Sequence, residues 1–155
     1  MPAVNVTVNG RSHAFDLRTD ELLLDVLRDR AGCSSVREGC GVGVRGACTA
    51  MVNGSPVSTC LVLGSCCDYA EVLTVEGLSP DDPVVAAFAE VGAMQCGYCT
   101  PGFVLMVRDL LATSASPSDE QIDEHLSGNL CRCVAYLEIG EAVRRAVRAR
   151  GGAIR

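Results

Sequence analysis

Ten cysteines in 155 residues are the side chains best able to do chemistry in this sequence. Four of them fall as two short pairs, Cys96-Gly-Tyr-Cys99 and, 31 residues on, Cys131-Arg-Cys133. Each pair is short enough to bind one metal centre from a single loop. If packing joins the two loops, four thiolates converge, and such a set holds either a tetrahedral zinc ion or a [2Fe–2S] cluster. A C-x-C pair is tighter than the two to four intervening residues usual at zinc sites. The spacing therefore favours the cluster and leaves zinc as the alternative.

A second set lies upstream, at Cys40, Cys48 and Cys60, with glycines at 39, 41, 43 and 46 around its start. Glycine lets backbone N–H groups turn inward and the chain approach closely, as the bridging sulfides of a cluster require. The C-x4-C-x2-C spacing of plant-type clusters calls for a cysteine at position 45. Arg45 stands there. A plainer reading makes the glycines turn residues and the three cysteines small buried hydrophobes. Cys33, Cys66 and Cys67 are unassigned, with burial as their expected role. Neither Cys66-Cys67 nor Cys131-Arg-Cys133 suits disulfide geometry.

These loops need elements to hold them. Val4, Val6 and Val8 alternate with polar residues up to Asn9-Gly10, and Phe15 and Leu17 resume the alternation, which predicts a hairpin. The stretch TDELLLDVLRDRAG predicts a helix capped by Thr19, with Leu23, Val26 and Leu27 on one face. A second hairpin is expected at Asn53-Gly54 and a closing strand in EVLTVEGL. The stretch from Leu78 to Pro83 is a boundary signal, after which the period turns helical. Four helices are expected there, with Pro83 and Pro101 in first turns and a capping box at Ser118 and Gln121. The fold class is α+β, with one domain over 1–78 and a helical domain over 79–155.

Composition narrows the function. Apolar residues make up 48% and the net charge is −6, with no basic stripe interleaved with aromatics. Nucleic acid is not the expected partner. No apolar run approaches a membrane span, and the N-terminus lacks a secretory pattern, so the expected location is cytoplasmic. His13 and His125 read as surface residues away from any ligand set. The basic run EAVRRAVRAR reads as a solvated helix end. There is no G-x-S-x-G, P-loop or Rossmann fingerprint.

Taken together, EGCGVGVRGAC with Cys60, QCGYCTPG and GNLCRC resemble the small iron–sulfur subunit of the molybdenum hydroxylases. That family includes xanthine dehydrogenases, aldehyde oxidoreductases and aerobic carbon monoxide dehydrogenases. The resemblance spans nearly the whole chain and departs from the family pattern at Arg45. It implies a β-grasp ferredoxin-like domain followed by a four-helix [2Fe–2S]-binding domain. Cys96, Cys99, Cys131 and Cys133 would hold the helical cluster, beside the molybdopterin of a large subunit, with Gln95 bonded to the pterin. Cys40, Cys48 and Cys60 would belong to a second cluster facing the FAD of a medium subunit. The chain would be the electron-transfer subunit of an oxidoreductase complex, performing no hydroxylation itself.

Four readings of Arg45 stay open: the N-terminal cluster is lost, a spare thiolate substitutes, Arg45 itself ligates iron, or water or another small ligand completes the site. The alternative function is a structural or assembly subunit that no longer relays electrons over long range. A zinc-binding interaction module is the third.

Overall fold

The structure is a computed structural model describing residues 3–134 and 136–152. The outer ends of the two expected domains, residues 1–2 and 153–155, lie outside the described residues.

The chain begins with the expected hairpin, strands β1 (Ala3–Val8) and β2 (Arg11–Asp16) in register from Ala3 opposite Asp16 to Val8 opposite Arg11. Asn9 and Gly10 both have positive φ, 51° and 78°, as a type I′ turn requires. Val4, Val6 and Val8 are buried while Ala3 and Asn5 face solvent. A second hairpin joins β3 (Thr49–Val52) to β4 (Ser55–Ser58) through Asn53-Gly54, and β5 (Ala70–Leu73) closes the sheet. The order is β2-β1-β5-β3-β4, with β1 and β5 parallel and the other pairs antiparallel. Pro56 falls on the edge strand β4, where its missing N–H breaks no ladder.

The first helix differs from the sequence expectation. Thr19 does not cap it; α1 starts at Leu23, runs to Asp25 and widens into a π-type turn over Val26–Arg30. The reason is non-local. Leu22 forms an antiparallel bridge with Leu63, Leu23 N–H donates to the Val62 carbonyl at 2.7 Å, and Gly64 N–H to the Glu21 carbonyl at 2.8 Å. Those backbone groups are taken by the bridge and cannot form a first helical turn. Leu23, Leu24 and Leu27 then pack on the sheet with Val6, Val8, Ala50 and Val72.

Four helices follow, as expected: α2 (Pro83–Val91), α3 (Thr100–Thr113), α4 (Asp119–Leu126) and α5 (Tyr136–Ala149). Asp82 caps α2, accepting from the N–H groups of Val84 and Val85. The capping box of α4 is complete, Ser118 and Gln121 each bonding the other's backbone. Helix α5 buries Ile139, Ala142, Val143, Ala146 and Val147, a three-four spacing along one face. Its arginines pair outward, Arg144 with Asp119 and Arg145 with Glu90, both at 2.7 Å. These helices share a hydrophobic cluster distinct from that of the sheet, and Val75 and Leu78 pack against it.

His125 is half-buried rather than at the surface. Its Nε2 lies 3.1 Å from the Asp109 carboxylate on α3, at an angle that makes no hydrogen bond.

Candidate metal centre

The two helical-half cysteine loops sit at helix ends. Cys96-Gly-Tyr-Cys99 leads into α3, with Cys99 just before Thr100, and Cys131-Arg-Cys133 bridges α4 and α5. Packing of these helices brings the loops together. Cys133 Sγ stands 3.4 Å from Cys96 Sγ, and the Cys99 and Cys131 thiols neighbour each other. Two sulfurs on one tetrahedral metal, at about 2.3 Å from it, stand roughly 3.8 Å apart. The Cys96–Cys133 pair therefore matches the two protein ligands of one metal atom with little adjustment. Among the described residues, no three metal-binding side chains converge on a single ion position. Four thiols in two adjoining pairs fit a two-iron group better than one zinc ion.

The pairs differ in surroundings. Cys96 and Cys133 are exposed, whereas Cys99 and Cys131 pack against the helical core. Burial, then the neighbouring Cys131 thiol, pushes the Cys99 thiol up to about 12. The Tyr98 N–H, then the Cys133 thiol, lowers Cys96, with a smaller contribution from the Arg37 charge. The Cys96 thiol raises Cys133 in turn. Further donors surround the site: Val134 N–H reaches Cys131 Sγ at 3.3 Å, and the Tyr136 hydroxyl accepts from Cys131 N–H at 3.0 Å. Gln95 is exposed, next to Cys96.

The N-terminal set is less complete. Cys48 and Cys60 are buried with sulfurs 3.4 Å apart. Cys40 is half-buried, and its sulfur accepts from Val44 N–H at 3.3 Å. The backbone N–H groups of Val42 and Val44 hold the Cys40 thiol below its ordinary range, while burial, then Cys48, raises Cys60. Arg45 is exposed and donates from Nη1 to the Gly39 carbonyl at 3.3 Å. Cys33 and Cys67 are buried in the sheet core, but Cys66 is exposed, against the expectation of burial for all three.

Sequence reasoning missed the seam between the two sets. The Arg37 guanidinium donates to the Gly97 carbonyl at 2.5 Å and lies 5.4 Å from the Tyr98 ring centroid. The Tyr98 hydroxyl donates to the Glu38 carbonyl at 2.7 Å, and Leu130 N–H to the Arg45 carbonyl at 3.1 Å. Gly46 and Gly102 make the approach possible. A Cβ on Gly102 would stand 2.1 Å from the Gly46 oxygen, and one on Gly46 (φ +70°) 2.4 Å from Asn129 Nδ2. The one available signal was position: Arg37 and Glu38 shortly precede Cys40, and Asn129 and Leu130 immediately precede Cys131.

Known proteins resemble this chain. The family described as "[2Fe-2S] binding domain" matches residues 74–144. The nicotinate dehydrogenase small FeS subunit of Eubacterium barkeri is 44% identical over 147 residues, covering 93% of this chain and 94% of that protein. The nicotine 6-hydroxylase small subunit of Paenarthrobacter nicotinovorans is 42% identical over 90% of this chain and 86% of that protein. Among solved structures, quinoline 2-oxidoreductase from Pseudomonas putida 86 superposes with a TM-score of 0.90 at 34% identity, covering 96% of this chain and 94% of the matched chain.

Proposed function

Because this chain belongs to the iron–sulfur small-subunit family of the molybdenum hydroxylases, we propose that it is the electron-relaying subunit between a molybdopterin-bearing large subunit and an FAD-bearing medium subunit. The paired arrangement of Cys96 with Cys133 and Cys99 with Cys131 carries this reading. These four side chains hold a [2Fe–2S] group, which supplies one-electron transfer when bound. Cys99 and Cys131 anchor it against the helical core and keep water from its inner side. Cys96 and Cys133 hold the outer side, which faces the large subunit. Met94, Tyr98, Leu130, Tyr136 and Leu137, all exposed nearby in the chain, give that side an apolar rim for the partner to cover. Gln95 lies at the rim and bonds the pterin. The domain boundary falls near 78–83.

Arg45 favours a second reading, a structural subunit retained for assembly after long-range relay is lost. The two part at the flavin: in a relay, electrons entering at molybdenum reduce it, and in a structural subunit they do not.

The test is to purify the complex through a tag on this chain, then measure molybdenum, flavin, iron and acid-labile sulfide. Molybdenum and flavin on the co-purifying subunits, with iron and acid-labile sulfide on this chain, is the expected result. Zinc in place of the iron and sulfide overturns the assignment.

A further inference from the structure

We infer that the glycine-rich loop of this chain holds no second cluster, so that the chain carries a single [2Fe–2S] group, in the helical loops, from which electrons must pass to flavin directly. The inference rests on the reading just given for Cys96, Cys99, Cys131 and Cys133. The residues at the N-terminal loop do not fit a four-thiolate group. They supply one pair, Cys48 with Cys60 at 3.4 Å, and one solitary thiol, Cys40. Arg45 stands where the partner of Cys40 is required.

No substitute ligand is in place. Cys33 accepts from Asn9 Nδ2 at 3.7 Å and neighbours Thr74 and Glu76. Cys67 faces the Leu63 carbonyl at 3.9 Å, with Cys66 beside it. The Cys40 thiol is faced by the backbone N–H groups of residues 42–45, and Cys60 by Cys48, the Gly43 N–H and Cys40. Arg45 is no ligand either. Its guanidinium donates to the Gly39 carbonyl and, as an exposed cation with donors only, offers iron no lone pair.

A borrowed small ligand meets the same exposure. The deficient position is on the open side of the loop, where Val42 and Val44 are 63% and 56% exposed. An iron there would have one protein sulfur and a fourth position open to water. The buried pair cannot compensate, because it serves the other iron.

The loop keeps its shape by other means. Cys40 Sγ accepts the Val44 N–H, and the Gly46 carbonyl accepts the Thr49 hydroxyl at 2.8 Å. The Arg45 carbonyl holds Leu130 N–H, directly before Cys131. The loop is thus a brace for the helical site.

The experiment is an iron and acid-labile sulfide count per chain on the purified complex, with EPR of the dithionite-reduced protein, for wild type, Arg45→Cys and Cys40→Ser. The wild type should hold about two irons and show one reduced cluster signal. Arg45→Cys should rise to about four irons and gain a second signal. Cys40→Ser should match the wild type. Four irons in the wild type, loss of iron in Cys40→Ser, or no gain in Arg45→Cys overturns the inference. A wild type without iron overturns the helical reading instead.

Discussion

The helical loops bring four thiols together as two pairs, one turned to the core and one to solvent. The glycine-rich loop brings one buried pair and a solitary half-buried thiol. Both sites have backbone N–H groups that face sulfur. Their ligand sets differ by one thiol. A loop can therefore keep the backbone of a metal site, held by its own hydrogen bonds and its seam to a neighbour, after the ligand set has become incomplete. Loop shape and ligand chemistry are separable properties.

The largest expected effect comes from exchanging one sulfur for oxygen in each loop. Cys131→Ser should abolish the cluster's share of the visible absorption and its reduced EPR signal. Cys48→Ser should leave both intact and lower thermal stability, since a buried hydroxyl without its own partner costs about 1–3 kcal/mol. Equal loss of signal in the two variants would break the asymmetry between the sites.

A smaller effect is expected at the seam that joins them. Gly102→Ala places a Cβ at 2.1 Å from the Gly46 oxygen, a backbone atom that cannot swing away. Separating the loops should cost on the order of 1–3 kcal/mol, lowering the unfolding midpoint by roughly 2–12 °C. The EPR line shape of the helical site should change as well, because Asn129 and Leu130 move with the seam. An unchanged melting temperature and line shape would mean that the N-terminal loop does not brace the helical one.

How much of this was legible in sequence depends on how local each cause is. The Asn9-Gly10 and Asn53-Gly54 turns, the Ser118–Gln121 box and the C-x2-C and C-x-C pairs act over a few residues, and all could be read. The start of α1 could not, because Leu22 is committed to Leu63, a partner across the glycine-rich loop. The seam was illegible for the same reason: Arg37 meets Gly97, and Arg45 meets Leu130. His125 looked like a surface residue in an acidic helix until α3 placed Asp109 against it. The missing ligand at position 45 was plain in the sequence. What the sequence left open was whether Cys33, Cys66 or Cys67 could take its place, which depends on where distant segments pack.

The halves should also separate under acid, with the smallest effect of the three. The carboxylates with lowered pKa, Asp20, Glu21 and Glu76, all lie in the N-terminal half, and of these Glu76 is the one held by hydroxyls rather than by an arginine. Burial alone would raise Glu76, but the Ser35 hydroxyl and N–H and the Thr74 hydroxyl outweigh it and hold the carboxyl below its usual range. A glutamate in the unfolded chain titrates near ~4.3. The folded form keeps its carboxylate charged to lower pH, so it binds fewer protons than the unfolded form in that window. The stability Glu76 contributes is therefore present above about pH 4.3 and lost as pH falls through the lower folded value. Glu76 links Ser35, five residues before Cys40, to the segment entering the helical half, so its protonation should loosen the glycine-rich loop first. Following thermal unfolding between pH 7 and 3 should show the acid decline of wild type, and Glu76→Gln should start lower at neutral pH with a shallower decline. Parallel curves for the two proteins would assign the acid sensitivity elsewhere and leave the halves equally robust.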